Sequence, residues 1–314
     1  MSILKKLSCK LKASEQDVLR VAVDAPMKYK IYTIPKRTQG RRTIAHPAKE
    51  LKVVQSALVE LFQLPVHNNA MAYKKGTSIK ENASVHKNNK YLLKMDFENF
   101  FNSITPSVFW NTWKQQHREE PDFFDKKIVN NILFWAKEKF NKTELVLSVG
   151  APSSPAISNF CLFYFDKEIT QLCKNNNISF TRYADDLTFS TNEKNSLFDI
   201  PKVIAATLNK HYGTKISINN QKTIFSSKAH NKHVTGITIT PEGNLSIGRE
   251  RKRYIKHLVH QFKIDNLDEV DLNHLRGLLS FSGHIEPKFI ESLSKKYSKD
   301  TIDRITRGHN ETTQ

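Results

Sequence analysis

Ile178-Ser179-Phe180-Thr181-Arg182-Tyr183-Ala184-Asp185-Asp186-Leu187-Thr188-Phe189-Ser190 sets two adjacent carboxylates between runs of β-branched and aromatic residues. Each flank alternates apolar and polar side chains, the period of a half-buried strand, so the segment reads as strand, turn, strand. Two like charges at the tip of a hairpin repel each other and gain nothing from burial. A divalent cation shared with further ligands reverses that balance. Mg²⁺ suits the role because it prefers hard carboxylate oxygens and keeps positions open for water and phosphate. A solvated Asp-Asp turn satisfies the same string, so the decision falls to the rest of the chain.

At 314 residues the chain exceeds what one hydrophobic core usually organises, and two or three subdomains are expected. Hydrophobic residues make up 39% and aromatics 10%, which supports packed cores and excludes a disordered polypeptide. The net charge of +18 fits a polyanionic partner, a nucleic acid or an anionic membrane. No apolar run is long enough to span a bilayer. Lys5, Lys6 and Lys10 interrupt the N-terminal apolar residues where a signal peptide needs a continuous core. Cys9, Cys161 and Cys173 form no Cys-x-x-Cys motif and cannot all pair, so a reduced, cytoplasmic protein is expected, with nucleic acid as partner and no membrane.

Working outward from the hairpin, Tyr91–Asp96 reads as a short apolar strand, and Tyr29–Ile34 and Arg41–His46 as two strands around a basic turn. Pro47 opens an amphipathic helix with Leu51, Val54, Leu58, Leu61 and Phe62 on one face. Helical patterns follow Pro106 and Pro121, and a longer one from Ser154-Pro155 carries Ile157, Phe160, Phe165, Ile169 and Leu172. A helix through Val203–Leu208 ends at Gly213; Lys215–Asn219, Thr223–Ser226 and Val234–Thr240 read as strands, and Arg249 onward as basic helices. The middle is therefore an α+β arrangement, a split βαβ of the ferredoxin-like kind. In that sheet Asp96, at the end of its strand, can lie beside Asp185 and Asp186, and three carboxylates suffice for two Mg²⁺ ions with a nucleotide's phosphates. Taken without the hairpin, Asp96 reads more readily as the cap of the following turn; taken with it, as a partner of the two carboxylates.

Lys94-Met95-Asp96-Phe97-Glu98-Asn99-Phe100-Phe101 and Tyr183-Ala184-Asp185-Asp186 resemble the two carboxylate motifs of reverse transcriptases. Gly150-Ala151-Pro152-Ser153-Ser154-Pro155 resembles the stretch before the long palm helix of the bacterial branch, and Asn219-Asn220-Gln221-Lys222-Thr223 its later lysine motif. Asn82-Ala83-Ser84-Val85-His86 and Val234-Thr235-Gly236 are similar to two signatures of retron reverse transcriptases. All six occur in the family's order.

The resemblance implies a right-hand polymerase: fingers over 1–90, a palm over 91–243 with an inserted helical segment at about 106–145, and a small helical thumb over 244–314. It implies Asp96, Asp185 and Asp186 as catalytic residues and, with the backbone carbonyl of Phe97, as ligands of two Mg²⁺ ions. Nucleotide contacts fall on Arg42, Phe101, Gly150, Ala151 and Lys222. A ring at Phe101 would collide with a 2′-hydroxyl, although Phe100 or Phe101 must also serve the core. Arg42, beside Lys36, Arg37 and Arg41, offers a triphosphate the bidentate contacts lysine cannot; an ordinary solvated turn also explains a basic run. Lys222 is placed to meet the departing pyrophosphate or to be a surface lysine. The family usually has Gln before Gly150, where this chain has Val149, which removes a side-chain amide contact.

RNA contacts are expected from Asn82 and His86, which share a helical face at i and i+4, and from the basic helix residues Arg249, Arg251, Lys252, Arg253 and Lys256. The implied function is copying of the chain's own structured non-coding RNA, of the msr-msd type, into DNA from an RNA 2′-hydroxyl. The product would be branched RNA–DNA (msDNA), in a retron anti-phage defence system with an effector protein as a further partner. A non-catalytic RNA-binding scaffold and another bacterial reverse transcriptase class stand as alternatives.

Overall fold

The computed structural model describes all residues except 37–39, 118, 139–140 and 308–314. Arg37, one of the basic turn residues, lies outside the described residues. Two compact units emerge: Met1–Thr77 with Leu93–Ile224, and Ser78–Leu92 with Phe225 onward.

The first unit opens with helices α1 (Ile3–Leu11) and α2 (Glu15–Val23), each started by a serine whose oxygen accepts a first-turn amide. Strands β1 (Tyr29–Pro35) and β2 (Arg41–Pro47) make an exposed antiparallel hairpin that pairs Ile34 with Arg42, and α3 (Lys49–Phe62) buries Leu51, Val54 and Leu58. Helix α4 (Ile79–His86) belongs to the second unit. Strand β3 (Tyr91–Asp96) runs into α5 (Phe100–Ser103), α6 (Pro106–Gln116) and α7 (Phe123–Leu133).

The segment at 106–145, expected to be helical, ends instead in a hairpin of β4 (Trp135–Glu138) and β5 (Asn141–Val146). Trp135 and Val146 bury against Ala45, with Tyr29 packed on them, and this tertiary contact outweighs the helix-forming Lys and Glu in between. The long helix after Ser154 is also two, α8 (Ser154–Cys161) and α9 (Phe163–Asn175), joined at Leu162. The chain then forms β6 (Ser179–Tyr183), β7 (Asp186–Thr191), α10 (Ile200–Tyr212) and β8 (Ile224–Ser227).

These strands lie in the order β6-β7-β3-β8. Numbered along the chain that is second, third, first, fourth, with helices in both crossovers: the split βαβ sheet expected from the sequence. Leu93, Met95, Leu187 and Phe189 are buried, which fixes the register that leaves Asp96 and Asp186 at the strand ends. The segment 215–219, read as a strand, contributes a single bridge from Ile218 to Phe97 rather than a ladder.

The second unit packs α4 against a three-stranded sheet of β9 (Lys232–Val234), β10 (Ile237–Ile239) and β11 (Leu245–Ser246). Helices α11 (Arg249–Lys263), α12 (Glu269–Ile285), α13 (Pro287–Tyr297) and α14 (Lys299–Arg307) complete it. Ala83, Leu92, Val234, Ile237, Ile255, Leu258, Leu279 and Leu293 share one core. Val234–Thr240, expected as a continuous strand, is broken by a hairpin. Val234 pairs with Ile237 across Thr235 (φ +46°) and Gly236 (φ +81°), the two left-handed residues such a tight turn requires.

Candidate active site

The three carboxylates lie in the first unit. The β6–β7 hairpin pairs Tyr183 with Asp186, so Ala184 and Asp185 form a two-residue turn and Asp186 begins β7. Ala184 takes φ +56°, unusual for a residue with a side chain, and its carbonyl accepts from Arg182 Nη1 at 3.1 Å. The Phe97 amide, next to Asp96, donates to the Asp185 carbonyl at 3.0 Å, which fixes the end of β3 against the turn. Asp96 receives Lys222 Nζ on Oδ1 at 2.9 Å.

Burial and mutual repulsion both disfavour the ionised forms of Asp185 and Asp186. Burial, then the charge of Asp96, raises the Asp185 carboxyl above the usual range. Asp186 is pushed up to about 6 by burial, then by Asp185 and Asp96. Among the described residues no group of three or more His, Cys, Asp or Glu side chains is arranged to hold a metal ion by itself. Mg²⁺ commonly takes only one or two protein carboxylates and completes its shell with water and substrate phosphate. Asp96, Asp185 and Asp186 are hard oxygen donors of the kind such an ion prefers.

A cavity of about 340 Å³ is lined by Phe101, Val149, Gly150, Ala151, Lys52 and Tyr73. Phe101 follows Phe100, which is buried in a ring stack on Phe97 (centroids 5.2 Å apart), so the two phenylalanines divide core and cavity between them. Gly150 has φ +127°, and a Cβ there would stand 3.1 Å from the Ala45 carbonyl oxygen. The Ala45 amide donates to the Val149 carbonyl at 3.1 Å, so this loop is stitched to β2. Arg41 is folded back onto Thr33, with Nε 2.7 Å from Oγ1. Arg42 is exposed and acts electrostatically on both Asp185 and Tyr73, which places its charge on the carboxylate side.

Tyr73 and Lys52 were not anticipated. Each comes from a segment far from the carboxylate motifs, and the only local signal is the left-handed Tyr73 (φ +61°) before the glycine turn at Gly76. Asn82 and His86 sit elsewhere, wholly buried in the second unit. Asn82 Nδ2 donates to Thr235 Oγ1 at 3.3 Å, and burial, then Lys232, lowers the His86 imidazole to about 3, keeping it neutral. The two signature strings therefore meet one another there. On α11, Arg249, Arg253 and Lys256 are exposed. Arg251 lies over the Phe281 ring, and Lys252 pairs with Glu286 at 2.5 Å, so these two are engaged in packing.

The sequence profile described as reverse transcriptase (RNA-dependent DNA polymerase) matches residues 34–239. The retron Ec83 reverse transcriptase of Escherichia coli is 49% identical over 281 residues, covering 89% of this chain and 90% of that protein. The retron Ec73 reverse transcriptase of the same species is 32% identical, covering 91% and 92%. Among solved structures, the apo telomerase of Candida tropicalis shares the fold at a TM-score of 0.52 and 13% identity. It is matched over 88% of this chain and 58% of its own, so the chain spans less than two thirds of that telomerase. The fold is that of a right-hand polymerase. The chain belongs to the reverse transcriptases, the RNA-directed DNA polymerases, and among them to the retron type. Divalent-metal dependence comes with that family. Among the described residues no helix is long and apolar enough to cross a membrane.

Proposed function

We propose that the chain copies a structured non-coding RNA of the msr-msd kind into DNA, priming from a guanosine 2′-hydroxyl of that RNA to leave branched RNA–DNA. Its setting is a retron that defends a bacterium against phage together with an effector protein. The observation that carries the catalytic part is the meeting of Asp96, Asp185 and Asp186 in a chain of this family, with Phe101 lining a cavity in the same unit.

In this reading residues 1–90 act as fingers, 91–243 as palm and 244–314 as thumb, with Ser78–Leu92 folded into the compact unit that holds the thumb. Asp96, Asp185 and Asp186, with the Phe97 carbonyl, would hold two Mg²⁺ ions, which lower the pKa of the attacking hydroxyl and neutralise phosphate charge. Gly150 and Ala151 present backbone to the nucleotide, and Phe101 excludes a 2′-hydroxyl from the cavity floor. Arg42, exposed on the hairpin, offers its guanidinium to the triphosphate. Lys222, whose Nζ lies 2.9 Å from Asp96 Oδ1, can give a proton to pyrophosphate. Arg249, Arg253 and Lys256 meet RNA phosphates. Asn82, buried in the same unit, holds α4 to the Thr235 turn.

Purified protein, its cognate RNA, Mg²⁺ and deoxynucleotides should yield DNA that stays linked to RNA after denaturation. Asp185→Asn should abolish synthesis. Full-length product from that variant would sink the metal assignment, and DNA free of RNA would sink 2′-hydroxyl priming.

A further inference from the structure

Among the described residues Arg182 is the largest wholly buried side chain, and it stands directly before the Tyr-Ala-Asp-Asp turn. Its Nε and Nη2 donate to Asp166 Oδ1 and Oδ2 at 2.8 and 2.6 Å, a two-pronged ion pair in which both side chains are fully shielded from water. Nη1 then divides between two acceptors, the Asn159 side-chain oxygen at 3.1 Å and the Ala184 carbonyl at 3.1 Å. Asn159 passes the link on, donating from Nδ2 to the Ala72 carbonyl at 2.9 Å, one residue before Tyr73 of the nucleotide-sized cavity. The backbone closes the frame: Arg182 donates to the Asn69 carbonyl at 2.8 Å and accepts from the Met71 amide at 2.7 Å.

A buried ion pair is weak support for a fold, since its desolvation offsets most of its attraction. Here the guanidinium is used for geometry. It fixes the carbonyl of the left-handed Ala184, the residue whose conformation sets the direction of Asp185, and through Asn159 it fixes the loop that carries Tyr73.

We propose that Arg182, Asp166 and Asn159 form a positioning device with two outputs: Arg182 with Asp166 sets the carboxylate turn for metal, and Asn159 sets the Tyr73 wall for the nucleotide. The proposal rests on the reading that Asp96, Asp185 and Asp186 hold the metal. The orienting partners of metal ligands are typically worth 10- to 100-fold in metal affinity or activity.

Removing one ionic partner alone would strand a buried charge, so the test replaces both, Arg182→Met with Asp166→Leu, a swap that folds often tolerate. Mn²⁺ is titrated into the metal-free protein and free Mn²⁺ is read by electron paramagnetic resonance, with no nucleotide and no turnover. The double variant should keep the parental melting temperature while its Mn²⁺ dissociation constant rises roughly 10- to 100-fold. Parental Mn²⁺ affinity in the folded double variant overturns the metal output. Asn159→Ala leaves the ion pair and the Ala184 contact in place; it should raise the deoxynucleotide KM severalfold at unchanged Mn²⁺ affinity. An unchanged KM overturns the second output. If the double variant does not fold, Arg182→Lys decides the metal output instead, since it keeps the buried charge beside Asp166 but cannot also reach the Ala184 carbonyl: parental Mn²⁺ affinity in that variant overturns it. Asp185→Asn serves as the control: should it bind Mn²⁺ as the parent does, the metal reading itself fails, whatever the Arg182 variants show.

Discussion

Asp186→Asn should make the metal-free protein more stable at neutral pH, although it removes a charge from the catalytic cluster. Asp186 is pushed up from 3.8 to about 6, first by burial and then by Asp185 and Asp96. A folded-state value above the unfolded one means that folding favours the protonated acid. The group's stabilising contribution is complete below pH 3.8, shrinks as pH rises, and is gone above pH 6, where the ionised carboxylate opposes folding. At 1.36 kcal/mol per tenfold change in proton affinity, the interval corresponds to about 3 kcal/mol, and the partial exposure of the carboxyl trims this to about 2 kcal/mol. For a unit of this size that is a rise of roughly 4–8 °C in melting temperature. The assay is thermal unfolding by circular dichroism in EDTA at pH 7.5 and again at pH 4. The variant should gain at pH 7.5 and lose most of that gain at pH 4, where the parent's carboxyl is already protonated. Mg²⁺ should raise the parent's melting temperature more than the variant's. A variant no more stable than the parent at pH 7.5, or equally stabilised at both pH values, would refute the repulsion argument.

Gly150→Ala should cost about 1–3 kcal/mol and raise the nucleotide KM, because φ +127° and the Ala45 oxygen at 3.1 Å leave no place for a methyl group; denaturant melts and steady-state kinetics check both. Phe101→Val should leave the fold intact and admit ribonucleotides, read as a rise in ribonucleotide kcat/KM relative to deoxynucleotide; an unchanged ratio removes Phe101 as the gate. Replacing Arg249, Arg253 and Lys256 together by Ala should lower the salt slope of RNA binding by about 0.7 per lost single-strand phosphate contact. Replacing Arg251 and Lys252 together by Ala should instead show mainly as lost stability, since those cations pack on Phe281 and pair with Glu286.

The sheet and its carboxylates were legible because they rest on local signals. Alternation around Asp185, the short apolar strand ending at Asp96 and proline-opened helices between them leave few topologies. What was not legible depends on partners distant in sequence. Trp135 and Val146 form strands because Ala45 and Tyr29 receive them, and nothing near position 135 announces this. Tyr73 reaches the cavity from a loop and Lys52 from α3, both distant in sequence from Phe101 and Gly150. Arg182 offered a clue that residue type alone supplies: an arginine amid Phe180, Leu187 and Phe189 is out of place unless a carboxylate is buried with it. Asp166 is that carboxylate, concealed in a helix read for its apolar face. The Val-Thr-Gly string looked like strand because two of its three residues are β-branched; its glycine was the better guide, marking a turn.

The hydrogen bond from Asn82 to Thr235 joins positions that lie on either side of the whole 93–224 segment in sequence. The C-terminal helices are thus not a self-contained cassette. An exchange of this unit between relatives by recombination must carry residues 78–92 along with everything from 225 onward, as two simultaneous grafts. A single crossover anywhere in 93–224 separates Ala83 and Leu92 from the core they complete with Val234 and Ile237. That split inheritance is a barrier to mixing, and it tells an engineer where to cut.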